Sequence, residues 1–315
     1  MYPRYEFFKA VTEVFRADGR TTPVFSDKHL SYDYDRAVEM VEISKEMGFA
    51  FLAGSSLPCG YRMPALELAV GTEVHEALVV TNLNGGDGGW FHGLEALQCM
   101  TERRSGGETG VASVHATAGD AVWPQLEAGL AGCGSWDDGG VDPELLEGCL
   151  CRSQQLRNIE EIESKPADGT GEETSPREPL YSWRYPTAAK ARTVVEDPRL
   201  IRIRYRDGTR ASVLFVAGLV ADTTFAARLA SPSAQVVSTL LNNDTIAPLS
   251  FRNFGTSSRL MEAAEDMFIT GKTRWPIERN LLTTGLTAAA AESFHTLEQA
   301  GLLATPQLDV CYQPK

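Results

Sequence analysis

The sequence has no long apolar run and no cluster of basic residues, and both absences limit its possible functions. Residues 1–6 have no apolar core of signal-peptide length, and no later stretch approaches the length that crosses a membrane. The formal net charge is −13, and such an acidic surface repels a phosphate backbone. Arg103-Arg104 is the densest basic pair. We therefore expect a protein whose partner is neither a nucleic acid nor a membrane.

The cysteines form no pattern typical of a metal site or a disulfide framework. There are six, and they are scattered along the chain. Cys149 and Cys151 make a C-x-C pair, but neither a second pair nor a nearby histidine accompanies it, which argues against zinc. A chain of this length can build its core without disulfides. The sequence thus predicts reduced thiols, no metal and a cytoplasmic location.

A complete glycine-rich turn for a dinucleotide is absent as well. The pattern G-x-G-x-x-G brings a helix N-terminus against a pyrophosphate. Residues 86–88, 132–134 and 169–171 each begin that pattern, and none of them supplies the third glycine. The adenosine and pyrophosphate contacts of a nucleotide-binding sheet therefore have no counterpart in this sequence.

What the N-terminal part does contain is an alternation of helices and short strands. Apolar residues at helical spacing predict helices over 5–16 and 33–47, each ended by a glycine. A short apolar strand leads into the charged triplet at 27–29, and a buried strand is predicted over 49–53. This order is typical of a parallel sheet with crossover helices, of which only two strands are present.

Lys28 follows the first of these strands and precedes a helix-start signal, Ser31 with Asp33. Open α/β sheets place ligand-contacting groups at the carboxyl ends of their strands. Lys28 is therefore a candidate for contact with a substrate. The alternative is an exposed lysine in a turn, which would have no role in binding.

Beyond residue 57 the pattern changes to longer strands. We predict a helix-like segment over 62–70 and a helix after the glycine-dense loop 85–89, with His92 and Glu95 on one of its faces. Residues 132–182 are rich in acidic residues and glycine, which predicts a flexible, solvated insertion, interrupted by a short helix around 143–162. Further strands are predicted at 74–80, 111–116, 200–205, 211–217, 222–230 and 235–241, and helices at 257–270 and 280–299.

Five short motifs follow one another along the chain. They are Asp-Lys-His at 27–29, Arg-Met-Pro at 62–64, a helix–Gly–strand passage at 69–77, a Gly-Gly-x-x-His-x-x-Glu segment at 88–95 and a Thr-Gly-Lys…Pro-Ile segment at 270–277. In order and spacing they resemble the Gfo/Idh/MocA family of glucose–fructose oxidoreductases and inositol dehydrogenases. Asp-Lys-His stands where that family has Glu-Lys-Pro. The resemblance covers nearly the whole chain.

The resemblance implies an α/β plus α+β fold with two regions. Residues 1–57 would be the remnant of a Rossmann-like parallel sheet, and residues 58–315 a substrate and oligomerisation domain with an open, largely antiparallel sheet. The chain looks like the last third of a Rossmann half joined to a complete second domain. It is then either a fragment of a longer gene product or a natural short form, and we expect a homo-oligomer.

The resemblance also implies an activity, namely NAD- or NADP-dependent hydride transfer on a sugar, a polyol or a related small hydroxyl compound. Lys28 would polarise the substrate oxygen, and His92 would accept the proton. The residues that would orient the substrate or the catalytic pair are Asp27, Tyr61, Arg62 and Glu95. The alternative is a non-catalytic scaffold or oligomerisation protein derived from the same family.

Overall fold

A computed structural model describes residues 3–154, 186–230, 235–241, 255–296 and 302–315. The helices are α1 (Arg4–Asp18), α2 (Tyr34–Met47), α3 (Gly86–Thr101), α4 (Trp123–Leu130), α5 (Pro143–Leu150), α6 (Ala188–Arg192), α7 (Gly255–Thr270) and α8 (Ile277–His295). The strands are β1 (Val24–Asp27), β2 (Phe51–Gly54), β3 (Arg62–Met63), β4 (Val74–Thr81), β5 (Glu108–Thr109), β6 (Val111–Ala118), β7 (Arg199–Tyr205), β8 (Arg210–Phe215), β9 (Thr223–Leu229), β10 (Val236–Leu241), β11 (Leu303–Ala304) and β12 (Cys311–Tyr312).

The N-terminal region is a parallel pair of strands with two helices. β1 and β2 pair in parallel along their whole length, as the alternation of helices and strands predicts. α2 begins at the N-cap Asp33, whose side chain accepts a hydrogen bond from the Arg36 amide, and it ends at Gly48 in the left-handed conformation. Phe8 of α1 packs on Phe51 with ring centroids 5.1 Å apart, which fixes the helix on the strand pair.

A large sheet forms the second region. Its eight strands run in the order β11-β6-β7-β8-β4-β9-β10-β3. Only β4 and β8 pair in parallel, and the other neighbours are antiparallel. β7 and β8 form the hairpin that Arg206-Asp207-Gly208 predicts, with Gly208 at a φ of 90°. The expected combination of a partial parallel sheet with a largely antiparallel one is therefore confirmed.

One face of this sheet packs on α3 and α8. Phe215 and Val213 of β8 lie against α3 so closely that the Cβ of any residue replacing Gly93 would come within 2.9 Å of the Val213 side chain. α8 is buried along most of its length because it also contacts α2, which makes one continuous core of both regions. The helix N-termini of α3 and α8 are thereby brought to the carboxyl ends of β1 and β2.

The other face of the sheet is covered by the chain itself. Leu78, Val80, Leu214 and their neighbours are at most 2% exposed and form a second core with α4 and α5. Trp136 covers the polar side of this face, where its indole N–H donates to the Ala211 carbonyl at 3.3 Å. The open face on which oligomerisation is expected from the family resemblance is thus filled in this region by the chain's own residues.

Two local predictions are wrong. Residues 62–70 form no helix, since Arg62 and Met63 pair with β10 as the edge strand β3 and the residues after them have no helical structure. The short helix predicted around 143–162 is present as α5, but it is not part of a solvated insertion, since Leu145, Leu146 and Cys149 are buried against the sheet. The acidic stretch over 155–185 lies outside the described residues.

Among the residues that the structure describes, no helix is long and apolar enough to cross a membrane. The same residues contain no group of three or more histidine, cysteine or carboxylate side chains placed to hold a metal ion.

Candidate functional site

The carboxyl ends of β1 and β2 meet at one edge, and Lys28 lies there. Its backbone N–H donates to the Gly54 carbonyl at 3.1 Å, which ties the residue after β1 to the last residue of β2. Its φ of 66° is the one positive value among the described non-glycine residues. The Lys28 ammonium is 2.7 Å from Asp27 Oδ2, and both side chains are exposed. A backbone strained in this way is common at functional sites.

His92 reaches the same edge from the first turns of α3. Its Nδ1 is 2.7 Å from the hydroxyl oxygen of Ser55, the residue directly after β2. Ser55 is itself fully buried, and the Leu57 N–H donates to its hydroxyl oxygen at 3.0 Å. This contact fixes the orientation of the imidazole ring. The other ring nitrogen, Nε2, is not used in the contact with Ser55.

The electrostatics of this edge keep His92 neutral. Burial, together with the smaller effect of the Lys28 charge, lowers the pKa of His92 to about 4, while Asp27 acts in the opposite direction. Because a neutral imidazole has one nitrogen without a proton, His92 keeps a hydrogen-bond acceptor nitrogen near neutral pH. The same interactions show that Lys28, Asp27 and His92 act on one another electrostatically.

Glu95 lies beneath this edge and does not face solvent. It is 0% exposed, and burial raises its pKa. Its carboxyl group accepts hydrogen bonds from Thr283 Oγ1 at 2.5 Å and Asn280 Nδ2 at 3.1 Å on α8, and from the Ser55 N–H at 3.3 Å. Glu95 therefore joins α3, α8 and the end of β2, and it binds the backbone of Ser55, the residue that contacts His92.

Arg62 lies elsewhere, at a cavity between β3, α3, α7 and α8, and Tyr61 contacts another residue of the cavity lining. The Arg259 guanidinium stacks on the Tyr61 ring at 3.7 Å. The Arg62 Nη2 atom is 3.9 Å from the sulfur of Cys99, and Arg62 lines the cavity. The structure thus brings Asp27, Lys28 and His92 together, and it separates Tyr61 and Arg62 from them.

Several residues of this edge carry no clear signal in the sequence. Ser55 follows a strand like many serines, and Asn280 and Thr283 lie in a helix far along the chain. His29 occupies the position where the resemblance expects proline. It is buried edge-on against Phe91, with ring centroids 5.8 Å apart, and burial lowers its pKa. In the sequence, only the position of His29 directly after Lys28 could have indicated that His29 belongs to this edge.

The described residues do not fit the adenosine and pyrophosphate part of a dinucleotide. The helices around β1 and β2 each have a carboxylate in the first turn or at the N-cap, namely Glu6 in α1, Asp33 at α2 and Asp87 in α3. The Asp33 and Asp87 side chains accept backbone N–H donors that a phosphate would otherwise use. A pyrophosphate at these ends would meet negative charge.

Comparison with known proteins identifies the class of fold. No family model matches the sequence, and a search of curated proteins found no match. Among solved structures, the chain shares its fold with proteins that include a putative myo-inositol dehydrogenase, which confirms the resemblance at the level of the fold.

Three structures illustrate this likeness. A structure of GenD2 from gentamicin A biosynthesis in complex with NAD has a TM-score of 0.52 and 13% identity, and the match covers 96% of this chain and 75% of that one. A putative myo-inositol dehydrogenase from Sinorhizobium meliloti 1021 has a TM-score of 0.51 and 12% identity, with 96% and 78% covered. A probable dehydrogenase from Thermotoga maritima has a TM-score of 0.50 and 12% identity, with 97% and 78% covered.

Proposed function

We propose that the edge formed by Lys28 and His92 is the proton-handling part of a cytoplasmic oxidoreductase of the Gfo/Idh/MocA type, which acts on a hydroxyl group of a sugar, a polyol or a related small compound. The observation that carries this proposal is the pair itself. A cationic donor and a neutral imidazole lie at the carboxyl ends of two parallel strands, where such sheets bind ligands.

In this proposal the two side chains divide the work on one hydroxyl group. The Lys28 ammonium donates a hydrogen bond to the substrate oxygen and stabilises negative charge on it. Neutral His92 accepts the hydroxyl proton at Nε2 while its Nδ1 stays on Ser55. Both groups would have to lie about 3 Å from that oxygen. Asp27 would orient Lys28, which it already contacts.

The hydride acceptor in this proposal is NAD or NADP, which supplies the redox chemistry when bound. The comparison structure with NAD supports that choice. Since the described residues do not fit the adenosine and pyrophosphate part, they would contact the nicotinamide end at most. The rest of the nucleotide would need residues outside this sequence or from another chain. In this proposal residues 1–57 belong to the nucleotide side and residues 58–315 to the substrate side.

The test is NAD(P)+-dependent oxidation of a panel of sugars and polyols by this chain, at high cofactor concentration. We expect turnover with at least one compound and a loss of about a hundredfold or more in His92→Gln, as general-base removal predicts. His75→Gln is the matched control because His75 is exposed on β4. A rate that is unchanged in His92→Gln would reject the proposal, and absence of turnover with every compound would favour the second candidate described below.

A second candidate is a non-catalytic protein derived from this fold, and the acidic helix N-termini next to β1 and β2 favour it. Calorimetry with NADH and NADPH distinguishes the two candidates. Micromolar binding by this chain supports the oxidoreductase. Absent binding together with absent turnover supports the scaffold, whose self-association would then use a surface other than the covered sheet face, such as the short β1–β2 sheet.

A further inference from the structure

A cavity of about 230 Å³ has Cys99, Trp275 and Arg279 among its lining residues. β3, the turn before it, α3, α7, α8 and the loop before α8 all contribute to its walls. Its lining includes six basic side chains and two carboxylates, and the basic ones are Arg62, Arg103, Arg259, Arg274, Arg279 and Lys315. The whole chain carries a net charge of −13, so this concentration of positive charge is local.

Three of these cations already have a carboxylate partner. Arg279 makes a two-pronged contact with Glu102, with N–O distances of 2.8 and 2.5 Å, in a buried position. Arg274 binds Asp266 at 2.5 Å. Arg103 lies 3.5 Å from Glu67. These pairs account for both carboxylates of the lining.

The remaining three cations have no carboxylate partner among the described residues. The Nε atom of Arg62 is buried without a hydrogen-bond acceptor there. Arg259 contacts the described part of the chain through the face of the Tyr61 ring, which leaves the N–H edges of its guanidinium available. Lys315 donates only to neutral oxygens of Thr273. Burial of the Arg62 Nε donor without an acceptor costs free energy, which a bound anion would recover.

The other polar groups of the cavity do not supply the missing charge. Cys59 and Cys99 both line it. Burial raises the pKa of Cys59 to about 11 and also raises the pKa of Cys99, so both thiols are neutral near neutral pH. The cavity thus keeps an excess of positive charge that no group in its lining balances.

We propose that this cavity binds the phosphoryl group of a small phosphate ester or of free phosphate. Guanidinium groups donate pairs of hydrogen bonds that match the oxygens of a phosphate. A phosphate carries nearly two negative charges and several acceptor oxygens, enough to engage Arg62, Arg259 and Lys315 together. The cavity also has room for a small organic group beside the phosphate.

This site is independent of the proposed oxidoreductase function. None of the residues of the proposed oxidoreductase site, Asp27, Lys28, Ser55 and His92, lines this cavity. Phosphate binding can therefore be present or absent whatever the outcome of the activity assay.

The experiment measures binding of inorganic phosphate and of glycerol 3-phosphate by calorimetry and by thermal unfolding, at constant ionic strength set with chloride because screening alone changes surface electrostatics. Malonate serves as a dicarboxylate of comparable charge. The variants are Arg259→Gln and the double variant Arg62→Gln/Arg259→Gln. Arg192→Gln, which removes an exposed arginine of α6, is the control.

We expect both phosphates to bind and to raise the unfolding temperature, with affinity roughly ten- to a hundredfold lower in Arg259→Gln and lower still in the double variant. Arg192→Gln should bind like the unmodified chain. Tighter binding of glycerol 3-phosphate than of inorganic phosphate would identify an ester as the ligand, and the reverse would identify the free ion. Equal binding of malonate and phosphate, equal binding in all variants, or no binding would overturn the proposal. Circular dichroism of each variant shows whether it is folded.

Discussion

Replacement of His92 by glutamine should change how the stability of the protein depends on pH. Burial, as the largest cause, lowers the pKa of His92 from its ordinary value of 6.5 to about 4 in the folded chain. Between those two values the unfolded chain binds a proton at this residue and the folded chain does not. The contribution of His92 to stability is therefore fully present above the unfolded pKa and is lost as the pH falls through the folded pKa.

The magnitude follows from the two pKa values. A difference of this size corresponds to about 3 kcal/mol of unfolding free energy between near-neutral pH and about pH 4. Other groups titrate in the same range. Burial raises the pKa of Glu76 to about 7, and this has the opposite effect, since it stabilises the folded chain as the pH falls. The difference between the unmodified chain and His92→Gln removes these shared contributions.

The assay is urea unfolding followed by circular dichroism over that pH range, for both proteins. We expect the unmodified chain to lose about 3 kcal/mol relative to His92→Gln on acidification. Two further variants test the cause. Lys28→Met should raise the pKa of His92 and flatten this difference, and Asp27→Asn should lower the pKa and steepen it. A difference that does not depend on pH, or two variants that shift it in the same direction, would refute the electrostatic account of this site.

Two more predictions concern the packing beneath His92. Glu95→Ala leaves the buried donors of Asn280, Thr283 and Ser55 without their acceptor. We therefore expect the unfolding free energy measured with urea to fall by roughly 3 kcal/mol or more, and to fall less in Glu95→Gln. A fall below about 1 kcal/mol in the alanine variant would contradict the supporting role of Glu95. Gly54→Ala should cost roughly 1–3 kcal/mol or more, because its φ is 138° and the new Cβ would come within 2.8 Å of the Asn280 side chain. Gly19→Ala, at a φ of 64° with nothing near its Cβ, should cost only about 1 kcal/mol; equal losses in calorimetric unfolding would show that crowding at Gly54 is unimportant.

Much of the local structure could be predicted because its signals are local. The spacing of apolar residues indicates α1 and α2, and each of these helices ends at a glycine. Short apolar runs indicate β1 between the two helices and β2 after them. Residues 206–208 predict the hairpin of β7 and β8 for the same reason. The helix predicted over 62–70 is absent, which shows the limit of such patterns. Leu66, Leu68 and Val70 are apolar at alternate positions, and this spacing also suits an extended segment at the edge of a sheet.

The sequence by itself determined the helices and strands, the resemblance of fold and the positions of Lys28 and His92 as candidate residues. Only the tertiary structure decided that His92 contacts Ser55, that Glu95 is buried beneath it, and that α5 covers the second face of the sheet. It also decided that Arg62 and Arg259, far apart in the chain, line one cavity. The reason is physical. Periodicity records which side of an element is apolar, whereas the choice of partner element depends on how all the apolar faces are buried together.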